Sequence, residues 1–184
     1  MNIPTKKTAS KANKKKTQKY GPISKALNLV LYATISSIWT YLYECKEKIE
    51  KYALEEDAHY YSSYARQVLT NVIEMINRTV FLYDNKKTII GVIFHRIITP
   101  RLNKKLKEGI DEILLCATEF RDYPKLIESD HITDPVEKER YILLEIINCL
   151  SYTTDDALSD GIDVLSDKRW TDGYDIWFWA QRVK

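Results

Sequence analysis

The sequence predicts an all-α protein: a single bundle-like domain of about five to seven helices over residues 23–184, behind a disordered lysine-rich arm at residues 1–22. Three observations carry this expectation. Apolar residues recur at i, i+3 and i+4 along most of the chain, the spacing that lines one face of a helix. Glycine and proline are scarce, five of each in 184 residues, too few for the turns of a β-sandwich or barrel. Hydrophobic residues at 45% and charged residues at 29% are ordinary for a folded chain long enough to bury a core.

The arm comes first. Residues 1–22 contain almost no large apolar side chains and end in Tyr20-Gly21-Pro22, so they bury too little surface to offset the entropy of ordering. Ser24 is then placed to cap a helix running to about Tyr52. Leu27, Val30, Leu31, Ile38, Leu42, Cys45 and Ile49 fall near one face, with Leu29, Tyr32, Ile35 and Trp39 on a second apolar side. The clearest period in the chain spans 56–83, where Tyr61, Ala65, Val68, Leu69, Val72, Ile76 and Val80 form a sustained stripe. Residues 88–98, "TIIGVIFHRII", fit a helix face that ends before Pro100. Their β-branched content also allows a small β-hairpin with "TVFLY", near 79–95.

A further amphipathic helix is expected over 102–121, with Leu102, Leu106, Ile110, Ile113, Leu114, Ala117 and Phe120 inward. Asp134-Pro135-Val136-Glu137 is a helix start. The aspartate caps, proline suits the first turn, and Glu137 can reach back. That helix is expected to stop near Tyr152. Thr154-Asp155-Asp156 then opens a shorter one, its acids at the positive end of the new dipole. "SDGIDV" at 159–164 and "TDGYDI" at 171–176 echo each other, but a single echo establishes no repeat. The aromatic stretch "DIWFWAQRVK" is expected to bury against the bundle.

Residues 26–43 contain no charge, which raises a competing reading. Eighteen residues reach the lower limit for a membrane-spanning helix, and the preceding lysines suit a cytoplasmic flank. Asn28, Thr34, Ser36, Ser37 and Thr40 dilute the stretch, however, and its pattern continues unbroken through Cys45 and Ile49 into charged helix. A buried bundle helix is therefore expected, with an N-terminal anchor as the alternative. A cleaved signal fits less well, since the basic region is long and no small-residue cleavage site follows.

Charge is the most usable functional signal. The net charge is only +2, yet residues 1–25 hold eight lysines and no acid, and residues 85–107 hold seven bases and no acid. From Gly109 onward seventeen acids face eight bases. Segregation on this scale predicts an anionic partner for the basic segments, or a basic arm folding onto an acidic body. Lys6, Lys7, Lys11, Lys14, Lys15, Lys16 and Lys19 can neutralise phosphates without reading bases, as can Arg96, Arg101, Lys104, Lys105 and Lys107 on the second segment.

Signals for catalysis are weaker. Glu56-Asp-Ala-His59 and Glu128-Ser-Asp-His131 share the E-x-x-H spacing that sets a carboxylate and an imidazole on one helix face, as in dinuclear metal bundles. The first pair lies too close to Glu44, Glu47 and Glu50 for a separate helix to return, and the second lies beside a break. Polar helix ends are the simpler account. Asp155, Asp156 and Asp160 could bind Mg²⁺, but such chemistry needs a second acidic motif. The glycines never cluster, so no phosphate-cradling loop or nucleophile elbow can be assembled. Cys45, Cys116 and Cys149 are odd in number and far apart, which suits reduced thiols in the cytoplasm.

The expectation is thus a non-enzymatic binding or regulatory protein that engages a polyanion, RNA or DNA, through basic segments. A membrane-anchored helical protein and a metal-dependent helical enzyme are the alternatives. No catalytic residue, resident metal or cofactor is assigned, a protein partner is allowed for, and membrane association is the alternative location.

Overall fold

The computed structural model describes residues 22–52, 57–84, 102–123 and 126–166. They form four helices: α1 (Pro22–Tyr52), α2 (Ala58–Asp84), α3 (Lys104–Asp122) and α4 (Pro135–Ser166). No strand occurs among the described residues. The segments 88–98 and 167–184, for which a helix and a buried aromatic tail are expected, lie outside them, as does the arm up to residue 21.

Each helix starts for a local reason. Pro22 opens α1, where a missing N–H costs nothing. Asp57 caps α2, its Oδ1 accepting the His59 N–H at 2.9 Å. Asn103 caps α3 through the Lys105 N–H at 2.8 Å, and Asp134 caps α4 through the Val136 N–H at 2.8 Å. Glu137 does not turn back toward the cap but lies 3.6 Å from Arg140.

Contacts along the helices show neighbours running in alternate directions. Thr34 and Thr79 hydroxyls meet at 2.8 Å and Asn71 donates to Tyr41 at 2.8 Å, so α1 and α2 are antiparallel. Lys46 donates to Asn148 at 3.0 Å, while Tyr32 packs against Gly161, so α1 and α4 are antiparallel too. Each helix packs against the other three, and α4 does so most extensively. Fully covered side chains include Ile35, Ile38 and Leu42 of α1, Val68, Val72 and Ile76 of α2, Leu106 and Ile113 of α3, and Leu143, Ile147 and Leu150 of α4. Buried apolar area of this kind, worth about 25 cal/mol per Å², is what holds the four helices together.

Several expectations need correction. Ser24, expected to cap the first helix, lies inside α1, which already begins at Pro22. Ile35, assigned to a secondary side of α1, is at the centre of the core, whereas Val30 is exposed. The hairpin near 79–95 loses its first strand, because residues 79–83 continue α2 to Asp84. Val72, Ile73 and Ile76 are buried just before it, and the Thr79 hydroxyl donates to the Met75 carbonyl at 3.1 Å. Residues 85–95 lie outside the described residues.

The expected break after Tyr152 is also absent, and α4 runs through it to Ser166. Thr153 and Thr154 do not cap a new helix. Their hydroxyls donate back to the carbonyls of Cys149 at 3.0 Å and Leu150 at 2.6 Å, the mid-helix mode of such residues. Thr154 is buried, and Leu150, Thr154, Ala157 and Gly161 carry one stripe across the point where the break is predicted.

The charge-free stretch is a bundle helix. No helix among the described residues is long and apolar enough to cross a membrane. Ile35, Ile38 and Leu42, in the middle of residues 26–43, face the other helices.

Candidate polyanion interface

One buried amide organises the end of the bundle at which α1 and α3 begin. Asn28 has no exposed surface, although it sits in the charge-free part of α1. Its Nδ2 donates to the Ser24 carbonyl at 2.7 Å, and its Oδ1 accepts the Asn103 backbone N–H at 2.6 Å. Asn103 is itself the cap of α3. The first turn of α1, where the arm joins the bundle, is thereby fastened beside the first turn of α3, which carries Lys104, Lys105 and Lys107. The starts of α1 and α3, some eighty positions apart in the chain, thus come to the same end of the bundle.

The lysines of α3 occupy an awkward place. α3 has no acid in its first turn, and cations near the positive end of a helix dipole are disfavoured. Carboxylates answer each of them: Lys104 pairs with Glu108 at 3.3 Å, Lys107 with Asp111 at 2.8 Å and Lys105 with Asp160 of α4 at 2.5 Å. All are surface pairs, of a class worth about 0–1 kcal/mol each. Arg96, Arg101 and the arm residues Lys6, Lys7, Lys11, Lys14, Lys15, Lys16 and Lys19 lie outside the described residues.

The metal-like spacings do not assemble. His59 is in the first turn of α2, which begins at Ala58, and Glu56 lies outside the described residues. Glu128 and His131 are exposed in the connection before α4, where His131 meets the Tyr141 ring edge-on at 5.6 Å. Asp155 and Asp156 are exposed in mid-helix, and Asp160 is engaged by Lys105. Among the described residues no three His, Cys, Asp or Glu side chains gather as a metal site would require.

Cys116 and Cys149 are not poised as nucleophiles. Burial pushes the Cys116 thiol up to about 11, with the nearby Cys149 adding to the rise and the Thr153 hydroxyl working against it. Cys149 is raised as well, by burial and then by Glu145. Thiolate is what reacts, so both are sluggish near neutrality.

Sequence reasoning missed a groove of about 960 Å³ between α2, the end of α3, residues 127–130 and the start of α4. Leu69, Phe120 and Ile142 line it beneath Arg66, Arg121 and Lys138. Glu128, Asp130 and Glu139 are interleaved there, and Lys138 pairs with Asp130 at 3.2 Å, so the groove favours neither sign of charge. Its lining comes from three helices and a connection, and no local pattern in the chain announces it.

Comparison with known protein families, curated proteins and solved structures finds no match.

Proposed function

We propose that this is a non-enzymatic binding protein that engages a polyanion, RNA or DNA, with the basic arm and the start of α3 acting from one end of a helical scaffold. The observation that carries this reading is the Asn28–Asn103 hydrogen bond of 2.6 Å, which fastens the arm's attachment point beside Lys104, Lys105 and Lys107. The arm leads, because its eight lysines over residues 1–25 have no acid among them, whereas each α3 lysine already meets a carboxylate. Contacts of this type go to phosphates and position a strand without reading its sequence.

The test is a salt titration of binding to a single-stranded RNA oligomer. The logarithm of affinity should fall linearly with the logarithm of salt, with a slope of about −0.7 per phosphate neutralised. Replacing Lys14, Lys15, Lys16 and Lys19 by glutamine should flatten that slope by two units or more, taking about 0.7 for each lysine that meets a phosphate. Replacing Lys104, Lys105 and Lys107 should change it less. Absence of binding at low salt, or a slope untouched by the arm substitutions, refutes the reading.

A further inference from the structure

Two of the three cysteines meet across the seam between α3 and α4. The two helices run antiparallel there, since Lys105 pairs with Asp160 at 2.5 Å and Gly109 abuts Ala157. Cys116 lies eleven residues beyond Lys105, and Cys149 lies eleven residues before Asp160. Eleven residues make about three helical turns, so both cysteines return to the side of the seam that carries the ion pair, at one height. Cys116 is also two turns beyond Gly109, where α3 comes close enough to α4 that an added Cβ would lie 2.7 Å from the Ala157 Cβ. A shared neighbour ties the two together. The Cys116 thiol is hydrogen-bonded to the Thr153 side chain, and the same Thr153 hydroxyl donates to the Cys149 carbonyl at 3.0 Å. Helices packed with axes about 8–10 Å apart bring facing Cα atoms within the roughly 4.4–6.8 Å that a disulfide bridges. Cys149 is exposed and Cys116 half-buried, whereas Cys45 is buried on α1.

We infer that Cys116 and Cys149 are a dithiol–disulfide pair, a site of reversible oxidation by small disulfides such as oxidised glutathione, whose closure clasps α3 to α4. The inference stands apart from the polyanion reading. Exposed Cys149 meets the oxidant first. Its thiolate attacks one sulfur of the small disulfide and expels the other half as a thiolate, leaving a mixed disulfide on Cys149. The Cys116 thiolate then attacks Cys149 Sγ and expels the second half. Two protein thiols thereby give up two electrons and two protons, and the oxidant leaves as two thiols. Burial raises both thiols, so the exchange is slow at neutral pH and quickens as pH rises. Once the mixed disulfide exists, Cys116 is already in place beside it, an advantage that a thiol diffusing from solution lacks. The closed bond joins positions 33 residues apart and restrains the unfolded chain.

The experiment incubates the reduced full chain with oxidised glutathione at about pH 8 and reads intact mass, a peptide map without reductant, and urea unfolding. The expected product has lost two hydrogen atoms, yields one peptide linking Cys116 to Cys149 that dithiothreitol splits, and unfolds at a urea midpoint higher by about 1 M. Cys116→Ser should instead retain one glutathione on Cys149. Parent protein that keeps glutathione on Cys149 while Cys116 stays free overturns the inference, and so does a bond that involves Cys45 or joins two chains. These outcomes are read on the parent protein, so the proposal stays falsifiable even if circular dichroism shows the Cys116→Ser chain unfolded. A Cys116–Cys149 bond that lowers the urea midpoint also overturns it, because the bond would then strain the seam rather than clasp it.

Discussion

Gly109 offers the sharpest test of how α3 and α4 meet. A glycine inside a helix normally gains about 1 kcal/mol on replacement by alanine, because the backbone loses less entropy on folding. Here the added Cβ would lie 2.7 Å from the Ala157 Cβ and 3.3 Å from its Cα. Comfortable carbon–carbon contact is about 3.5–4.0 Å, so the methyl overlaps its neighbour by about 1 Å. Neither partner can rotate away, since one is a methyl and the other is backbone. The helices must part instead, along a seam that includes Leu106, Ile110 and Ile113. Overpacking of this kind costs about 1–3 kcal/mol. Gly109→Ala should therefore destabilise by up to about 2 kcal/mol, the overpacking cost less the helix gain.

Ala157→Gly should also destabilise, by about 2 kcal/mol from lost propensity and a lost buried methyl. Moving the methyl from one helix to the other removes the Cβ–Cβ clash and leaves only the tight approach to the backbone. The double variant should thus be more stable than the sum of the single losses predicts by about 1 kcal/mol or more. Urea unfolding followed by circular dichroism, with the slope checked for constancy, measures all four corners of the cycle. A Gly109→Ala protein more stable than the parent, or strictly additive effects, would refute the close approach.

Three other outcomes follow from single groups. Asn28→Ala removes a buried amide and strands the Asn103 N–H, so the urea midpoint should fall by the equivalent of about 2–3 kcal/mol, whereas Ser37→Ala on the exposed side should change little. Tyr41 is raised from 10.0 to about 12, chiefly by burial and against the Asn71 hydrogen bond. Its contribution should be complete below pH 10 and decline as pH rises toward 12, because the unfolded chain releases the proton first; a Tyr41→Phe protein should lose less stability over that window in alkaline urea titrations. Alkylation of Cys116 should be slow at neutral pH and accelerate toward alkaline pH, its thiol being raised to about 11; peptide mapping after iodoacetamide treatment that finds Cys116 modified fast at neutrality would contradict the burial assigned to it.

Much of the scaffold was legible in the chain because it is written locally. The start at Asp134 is a capping aspartate immediately ahead of an apolar period, and its side-chain oxygen does accept the Val136 N–H; the caps at Asp57 and Asn103 are of the same kind but were not read from the sequence. The inward face of α3 follows its heptad-like spacing, with Leu106, Ile110, Ile113 and Ala117 all buried. The misreadings arose where local chemistry supports two outcomes. Thr153-Thr154-Asp155-Asp156 reads equally as a cap with an acidic first turn or as hydroxyls bonded back inside a longer helix. Burial of Thr154 and Ala157 decides between them, and burial is tertiary. Asn28 posed the same difficulty. As a lone amide it merely dilutes an apolar run, and its worth depends on Asn103, seventy-five residues away.

The candidate interface was legible as charge along the chain but not as charge in space. Counting along residues 85–107 gives seven bases and no acid, yet folding brings Asp160 onto Lys105, and the helix period brings Glu108 and Asp111 under Lys104 and Lys107. At physiological salt, fields decay over about 8 Å, so on the proposed reading a phosphate chain would sense first the arm, where residues 1–25 hold eight lysines and no acid, and little of α3. Once it is held there, phosphates compete for the α3 lysines against ion pairs worth no more than about 1 kcal/mol each. On the proposed reading the second segment would therefore add affinity only after the first had engaged. That order makes the arm substitutions the more damaging set, and it makes the α3 set detectable mainly at low salt, where encounter is no longer limiting.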